Sequence, residues 1–428
     1  MFLQRLRVPD LDLSPDLARL LGLVRYLAGD GRDRHRFIGY AAKDDDLAAL
    51  RPHAERIRAT FASVVVLATG ASAVGAKALI CACAAARAES GAPRIHFADN
   101  LSASTLAPLL QTLDLRATHF LVISKSGRTV ETLVQFMVFL EAARAAVGTR
   151  LAQHFTVITS LGDNPLRHLA ALEGLPIFDC DPDLDGCFAA FSLVGALPML
   201  VAGFDPARLR QGGAAMLERV FRASNVRAIP SALGAAAHFR LAANGKCAAH
   251  VLMTYDQRLM ELTQWHRHLW AESLGKNGCG TTPLVALGPL DQHSQMQFYL
   301  EGPSDKFVTI LTSGSLAAGP AVPEAACLRH PDLRYLARQR IADIVAAEAH
   351  ATIETLAQAG RPLRRITISE PDEKTLGALM MHFMLETVFT AHLFGIDPYG
   401  QPAVREEKIL AIDHLNDART PPVVGRIA

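Results

Sequence analysis

One local pattern recurs along this chain and limits what it can fold into. A short run of β-branched and apolar residues gives way to a glycine-containing turn, and the turn opens an apolar helix. Ser63–Thr69 (SVVVLAT), followed by GASAVG and AKALICACAAARAE, is the first instance. His119–Ser124 (HFLVIS) is another; it leads through SKSGRTVET into a helix with apolar residues at Val130, Leu133, Val134, Met137 and Leu140. A strand covered on both faces reads as a continuous apolar run, and strand–turn–helix is the unit of a parallel sheet. Arg94–Ala98 and His154–Thr159 complete a first group of strands. A second group starts near residue 210, with strands predicted at Ala249–Thr254, Pro283–Leu287, Lys306–Leu311 and Arg365–Ser369. The predicted fold is therefore α/β, with two doubly wound domains whose parallel sheets are flanked by helices. Its expected parts are a helical N-terminal segment (1–60), a first α/β domain (61–208), a second (209–390) and a C-terminal segment rich in Pro, Gly and charge (391–428).

Composition narrows the function classes. The chain has 43 basic and 42 acidic residues, a net charge of +1, and so lacks the basic excess of a nucleic-acid or anionic-membrane binder. Seven cysteines (Cys81, Cys83, Cys180, Cys187, Cys247, Cys279 and Cys327) are scattered, odd in number and without paired C-x-x-C spacing. Linear spacing thus indicates neither a disulfide framework nor a zinc site, and a reducing, cytoplasmic setting is expected. The N-terminus, MFLQRLRVPDLDL, interrupts its apolar residues with charge and does not read as a signal peptide. The apolar run Phe188–Phe204 is short for a membrane span and contains Gly195 and Pro198, so a buried helix is expected there.

Four segments carry chemistry. Ser124–Thr132 (SKSGRTVET) sits between a strand and a helix: hydroxyls at Ser124, Ser126 and Thr129, a bend at Gly127 and the open N–H groups of the helix start suit a phosphate monoester. Tyr255–Gly275 reads as a helix with Glu272 in its last turn. A carboxylate there opposes the helix dipole, so local helix stability does not explain it, and near Trp270 and Leu274 it can serve as a general base. His293, in GPLDQHSQMQ, follows a strand at its carboxyl end, where open α/β sheets place ligands. Lys408 closes DPYGQPAVREEK. Taken singly, these also read as a capped turn, a surface glutamate, a structural histidine and an exposed lysine.

Their order is more specific than any one of them. GASxxG, SKSGRTVET, AESLGK, DQHS and DPYGQPAV followed by Lys408 occur in the succession that resembles the glucose-6-phosphate isomerase family, over residues 60 to 410. The resemblance implies a pair of sugar-isomerase (SIS) domains, no cofactor, no metal, a hexose phosphate substrate and a homodimer with active sites built from both subunits. It implies that Glu272 carries a proton between C2 and C1, that His293 comes from the other subunit to help open the sugar ring, and that Lys408 lies near the ring oxygen. It places Ser124, Lys125 (through its backbone), Ser126 and Thr129 in the phosphate loop. Ser72, in the first glycine-rich turn, and Gln401 become substrate contacts, and His268 joins them.

The chain departs from the family pattern at three places. Cys187 stands where an arginine that stabilises the enediolate is expected, and losing one such donor typically lowers the rate by about 10²–10³-fold. His268 replaces a glutamine one helical turn before Glu272, and Ala68 and Ala71 replace glycines in the first turn. Arg128, in the phosphate loop, is a candidate to supply part of the missing positive charge. Two further readings stay open: a sugar-phosphate-binding protein without catalysis, and an isomerase acting on a different hexose phosphate.

Overall fold

The structure is a computed structural model that describes residues 2–9, 11–84, 91–314, 316 and 319–416. Ten strands occur among these: β1 (Phe2–Arg7), β2 (Ser63–Leu67), β3 (Arg94–Ala98), β4 (Thr118–Ile123), β5 (Phe155–Ser160), β6 (Ile177–Cys180), β7 (Ala249–Thr254), β8 (Thr282–Leu287), β9 (Lys306–Ser313) and β10 (Leu363–Ile368). They form two five-stranded sheets, in the orders β3-β2-β4-β5-β6 and β1-β10-β9-β7-β8. All pairings are parallel except β1 on β10. The expected fold class, two parallel-rich sheets flanked by helices, is what the structure has.

The two sheets wind alike. Each lays down a central strand, sets the next on one side, then crosses over and grows outward on the other. Winding therefore reverses between β2 and β4 and between β7 and β9. At such a point the connections leave in opposite directions and open a crevice at the carboxyl ends of the strands. Burial explains why the strands were legible: Val64 to Leu67 and Thr118 to Ile123 are buried on both faces, and Phe120 of β4 stacks on Phe155 of β5 at 4.7 Å.

The first sixty residues differ from expectation. Helices do cover Ser14–Ala28 and Asp45–Thr60, but Phe2–Arg7 is a strand that completes the second sheet, with Phe2 opposite Ile368 and Arg7 opposite Leu363. Phe2 is buried while Leu3 is exposed, an alternation suited to an edge strand whose outer face carries charge. The arginines at 5 and 7 disguised it. The run from Phe188 onward is buried as expected, as a short 3₁₀ turn (Gly186–Phe191) and a helix (Leu193–Val201). The Glu373–Phe394 helix is long and apolar enough to cross a membrane, yet nearly all of it is buried inside the molecule.

That helix brings a carboxylate into the core. Glu386 is fully buried, with Arg364 Nη1 of β10 at 2.5 Å, His382 Nε2 at 3.1 Å and His238 Nε2 at 3.3 Å. Burial opposes its ionisation, but Arg364 and the two histidines outweigh that and hold the carboxyl well below the usual range. Burial pushes His238 down to about 4 and His266 to about 3. The rings of His238, His250 and His266 pack within 5.5 Å of Trp270. Trp270 belongs to the Met260–Leu274 helix, so this core seats the helix that bears Glu272.

Candidate active site

The loop after β4 lies where the first sheet reverses its winding. Gly127 has φ +60°, and a Cβ there would lie 1.8 Å from Asn164 Oδ1. Asn164 is buried and accepts from Arg167 N at 2.9 Å to cap the next helix, so it cannot give way cheaply. The Gly127 carbonyl accepts from Leu166 N at 3.1 Å, and the Lys125 carbonyl from Ser160 N at 3.0 Å. Two β-α connections are thereby laced together. Ser124 Oγ donates to Thr129 Oγ1 at 3.1 Å, and Thr129 stands at the N-cap of the Val130–Val147 helix, where a helix start can offer backbone N–H groups to an anion. The Lys125 ammonium donates to the Leu184 carbonyl at 2.7 Å, which leaves its backbone to serve the loop.

Gly127→Ala therefore meets both a clash and a backbone conformation that alanine disfavours by about 1–2 kcal/mol. Binding of a phosphorylated sugar, measured by calorimetry, is expected to weaken by about tenfold or more, and denaturant unfolding should show the chain destabilised by at least that strain of about 1–2 kcal/mol.

Ser72 lies in the first turn of the Ala71–Cys83 helix and lines a small cavity with Lys125, Leu184, Gly186 and Ser192. The methyl of Ala71, which stands in place of a glycine, finds room across the cavity because residue 186 is a glycine: a Cβ there would come within 2.8 Å of it. Arg128 does not take the place of the missing arginine. Its guanidinium donates to the Asp163 carbonyl at 3.2 Å, and among the described residues no contact joins it to Cys187 or Glu272.

The segment Leu184–Cys187 leads from this loop to Glu272. Trp265 Nε1 donates to the Cys187 carbonyl at 3.1 Å, and the Cys187 thiol donates to Glu272 Oε2 at 2.7 Å. His268 Nδ1 is 3.8 Å from Glu272 Oε1. Burial disfavours the Glu272 anion, but His268, Cys187 and Gln401 outweigh it and hold the carboxyl below its ordinary value. Burial and the neighbouring Glu272 carboxylate push the Cys187 thiol well up, so it stays protonated as a donor.

The C-terminal segment borders the site. Lys276 Nζ donates to the carbonyls of Asp397 and Tyr399, each at 2.8 Å, and Gly400 N donates to Asp185 Oδ2 at 3.0 Å. A cavity of about 420 Å³ remains, lined by Ala271, Glu272, Lys276, Asn277, Gln401 and Val404 among others. That volume is in the range of small-ligand sites. Glu272, His268 and Gln401 are thus gathered together. Ser72, Ser124, Lys125, Ser126 and Thr129 lie along the first sheet's crevice. His293, on the Leu290–Glu301 helix, and Lys408, on the Arg405–Asn416 helix, are exposed, and among the described residues no contact links either to Glu272. Sequence reasoning missed Lys276, Asp185 and Trp265 as positioning residues. Lys276 lay inside the AESLGK motif, but its carbonyl partners are more than a hundred residues away.

Known proteins resemble this chain over most of its length. Residues 54–285 match the phosphoglucose isomerase family. The glucose-6-phosphate isomerase of Rubrobacter xylanophilus is 35% identical over 324 residues, 75% of this chain and 74% of that one. The Thermus thermophilus glucose-6-phosphate isomerase is 35% identical over 356 residues, 82% and 83% of the two chains. Among solved structures, a hypothetical protein of Thermus thermophilus superposes with a TM-score of 0.85 at 32% identity, covering 96% of this chain and 100% of that one. A glucose-6-phosphate isomerase of Chlamydia trachomatis shares the fold with a TM-score of 0.76 at 19% identity, covering 97% and 88%. A match over more than half the sequence, with relatives at this identity along most of its length, means that this chain belongs to the phosphoglucose isomerase family.

Proposed function

We propose that this chain interconverts glucose 6-phosphate and fructose 6-phosphate as an aldose–ketose isomerase, with Glu272 as the base. The observation that carries the assignment of the base is an ionised carboxylate facing a cavity of small-ligand size, one short segment from the loop after β4. A proton next to a carbonyl is weakly acidic, so a positioned base has to remove it, and the same carboxyl can return it to the neighbouring carbon. The cis-enediolate formed between those steps needs donors where negative charge develops. The protonated Cys187 thiol is a weak donor at the place where the family pattern has an arginine. The phosphate group, held by Ser124, Ser126 and Thr129, would fix the register of the sugar chain over Glu272.

Ring opening and the remaining donors fall to His293 and Lys408. The exposed position of His293, beside exposed Leu290 and Phe298, supports its being offered to a second copy of the chain. Two measurements test this reading. Glucose 6-phosphate formation from fructose 6-phosphate, followed through a coupled dehydrogenase, should show turnover. If fructose 6-phosphate binds without turnover, the chain is a non-catalytic binder. Co-expressing inactive His293→Ala and Glu272→Gln chains should restore roughly a quarter of the wild-type activity, because half of randomly paired dimers carry one intact shared site. Absence of restored activity would mean that each chain builds its site alone.

A further inference from the structure

Two of the three departures from the family pattern meet at one point. Cys187 and His268 are 81 residues apart in sequence, yet both flank Glu272. The Cys187 sulfur, a ring nitrogen of His268 and a carboxylate oxygen of Glu272 all lie within 4.8 Å of one another. Thiolate, imidazole and carboxylate together are the donor set of a borderline-soft divalent cation, with metal–ligand bonds of about 2.0–2.3 Å. Drawing the three atoms onto such an ion takes side-chain shifts of about an ångström, and two of the side chains have room: His268 and Glu272 are 30% and 24% exposed. Charge balances as well, since one thiolate and one carboxylate neutralise a divalent ion. The cavity over Glu272 leaves a fourth position for water. An arginine at 187 would have repelled a cation, and a glutamine at 268 would have been a poor ligand, so the pair of replacements turns a cationic surround into a cation-binding one.

The geometry points to a binding site for a zinc-class divalent cation formed by Cys187, His268 and Glu272, whose occupancy silences the isomerase. On binding, the Cys187 proton leaves to solvent, the sulfur and nitrogen lone pairs go to the ion, and nothing is oxidised or reduced. The Glu272 carboxylate then gives its lone pairs to the metal and no longer takes a proton from substrate. The effect on turnover rests on Glu272 being the base; the site itself does not.

The test uses the full chain, stripped with a chelator and titrated with cobalt(II) as a spectroscopic probe and with zinc. One cobalt per chain is expected, with the absorption of a thiolate–cobalt bond. That absorption should vanish in Cys187→Ser, and affinity should fall by at least about tenfold in His268→Gln; circular dichroism checks that both variants fold. Zinc should lower turnover in proportion to occupancy, and chelator should restore it. No thiolate–cobalt absorption in the wild type, or absorption that survives Cys187→Ser, overturns the site. Unchanged or increased turnover at full zinc occupancy overturns its inhibitory role. The spectral titration needs no turnover, so a chain that failed as an isomerase would still decide the site.

Discussion

Glu272→Gln is expected to lower kcat by about 10²–10⁴-fold, the usual contribution of a positioned general base, while KM changes little. Glutamine keeps the shape of the side chain and an oxygen that accepts from the Cys187 thiol, so the Met260–Leu274 helix and the cavity should persist. What is lost is a carboxylate able to hold the proton in transit. The coupled assay reads kcat and KM separately, and thermal unfolding of the variant checks the fold. A variant with normal kcat and a raised KM would make Glu272 a binding residue and move the base elsewhere.

Glu386→Ala is expected to destabilise the chain by about 3–5 kcal/mol, because it leaves the Arg364 guanidinium buried without a counter-charge. Denaturant unfolding measures it, and a loss below about 1 kcal/mol would mean the core relaxes to solvate Arg364. The same cluster sets the response to acid. Folding lowers His238 from its ordinary 6.5 to about 4. Between those values the unfolded chain takes up a proton that the folded chain refuses. The stability contributed by keeping this ring neutral is complete above pH 6.5 and lost as pH falls toward about 4. Glu386, held below its ordinary value, adds a loss of the same sign at still lower pH. Unfolding at pH 5 should therefore need less denaturant than at pH 7.

The strands buried on both faces were legible because a continuous apolar run has few other fates; β2, β4, β5, β7 and β9 are of this kind. β1 was not, because an edge strand shows one face to solvent and its arginines belong to that face. β6 is four residues long and includes Asp179, too little pattern to detect. The phosphate loop and the Glu272 helix were legible as motifs, since each is a contiguous stretch with its chemistry in place. The contacts of the site were not. Cys187 stood out only as a missing arginine; that its thiol meets Glu272 depends on Trp265 holding the Cys187 carbonyl from another element. The Arg128 expectation failed for a similar reason: nearness to a motif in sequence says nothing of the Asp163 carbonyl waiting across the loop.

The edge strand β1 has a consequence for how the molecule is made. All strands of the first sheet fall between residues 63 and 180, so that sheet can close as its own span leaves the ribosome. The second sheet cannot. β1 emerges ahead of every other described strand, yet its partner β10 follows only at residues 363–368. Until then β1 remains an unpaired ribbon, and once β10 docks on β9 its free edge stays open to any passing strand until β1 returns. Delayed release of the C-terminal third, rather than slow folding of the first sheet, is thus the interval in which nascent chains of this protein are most exposed to pairing with one another.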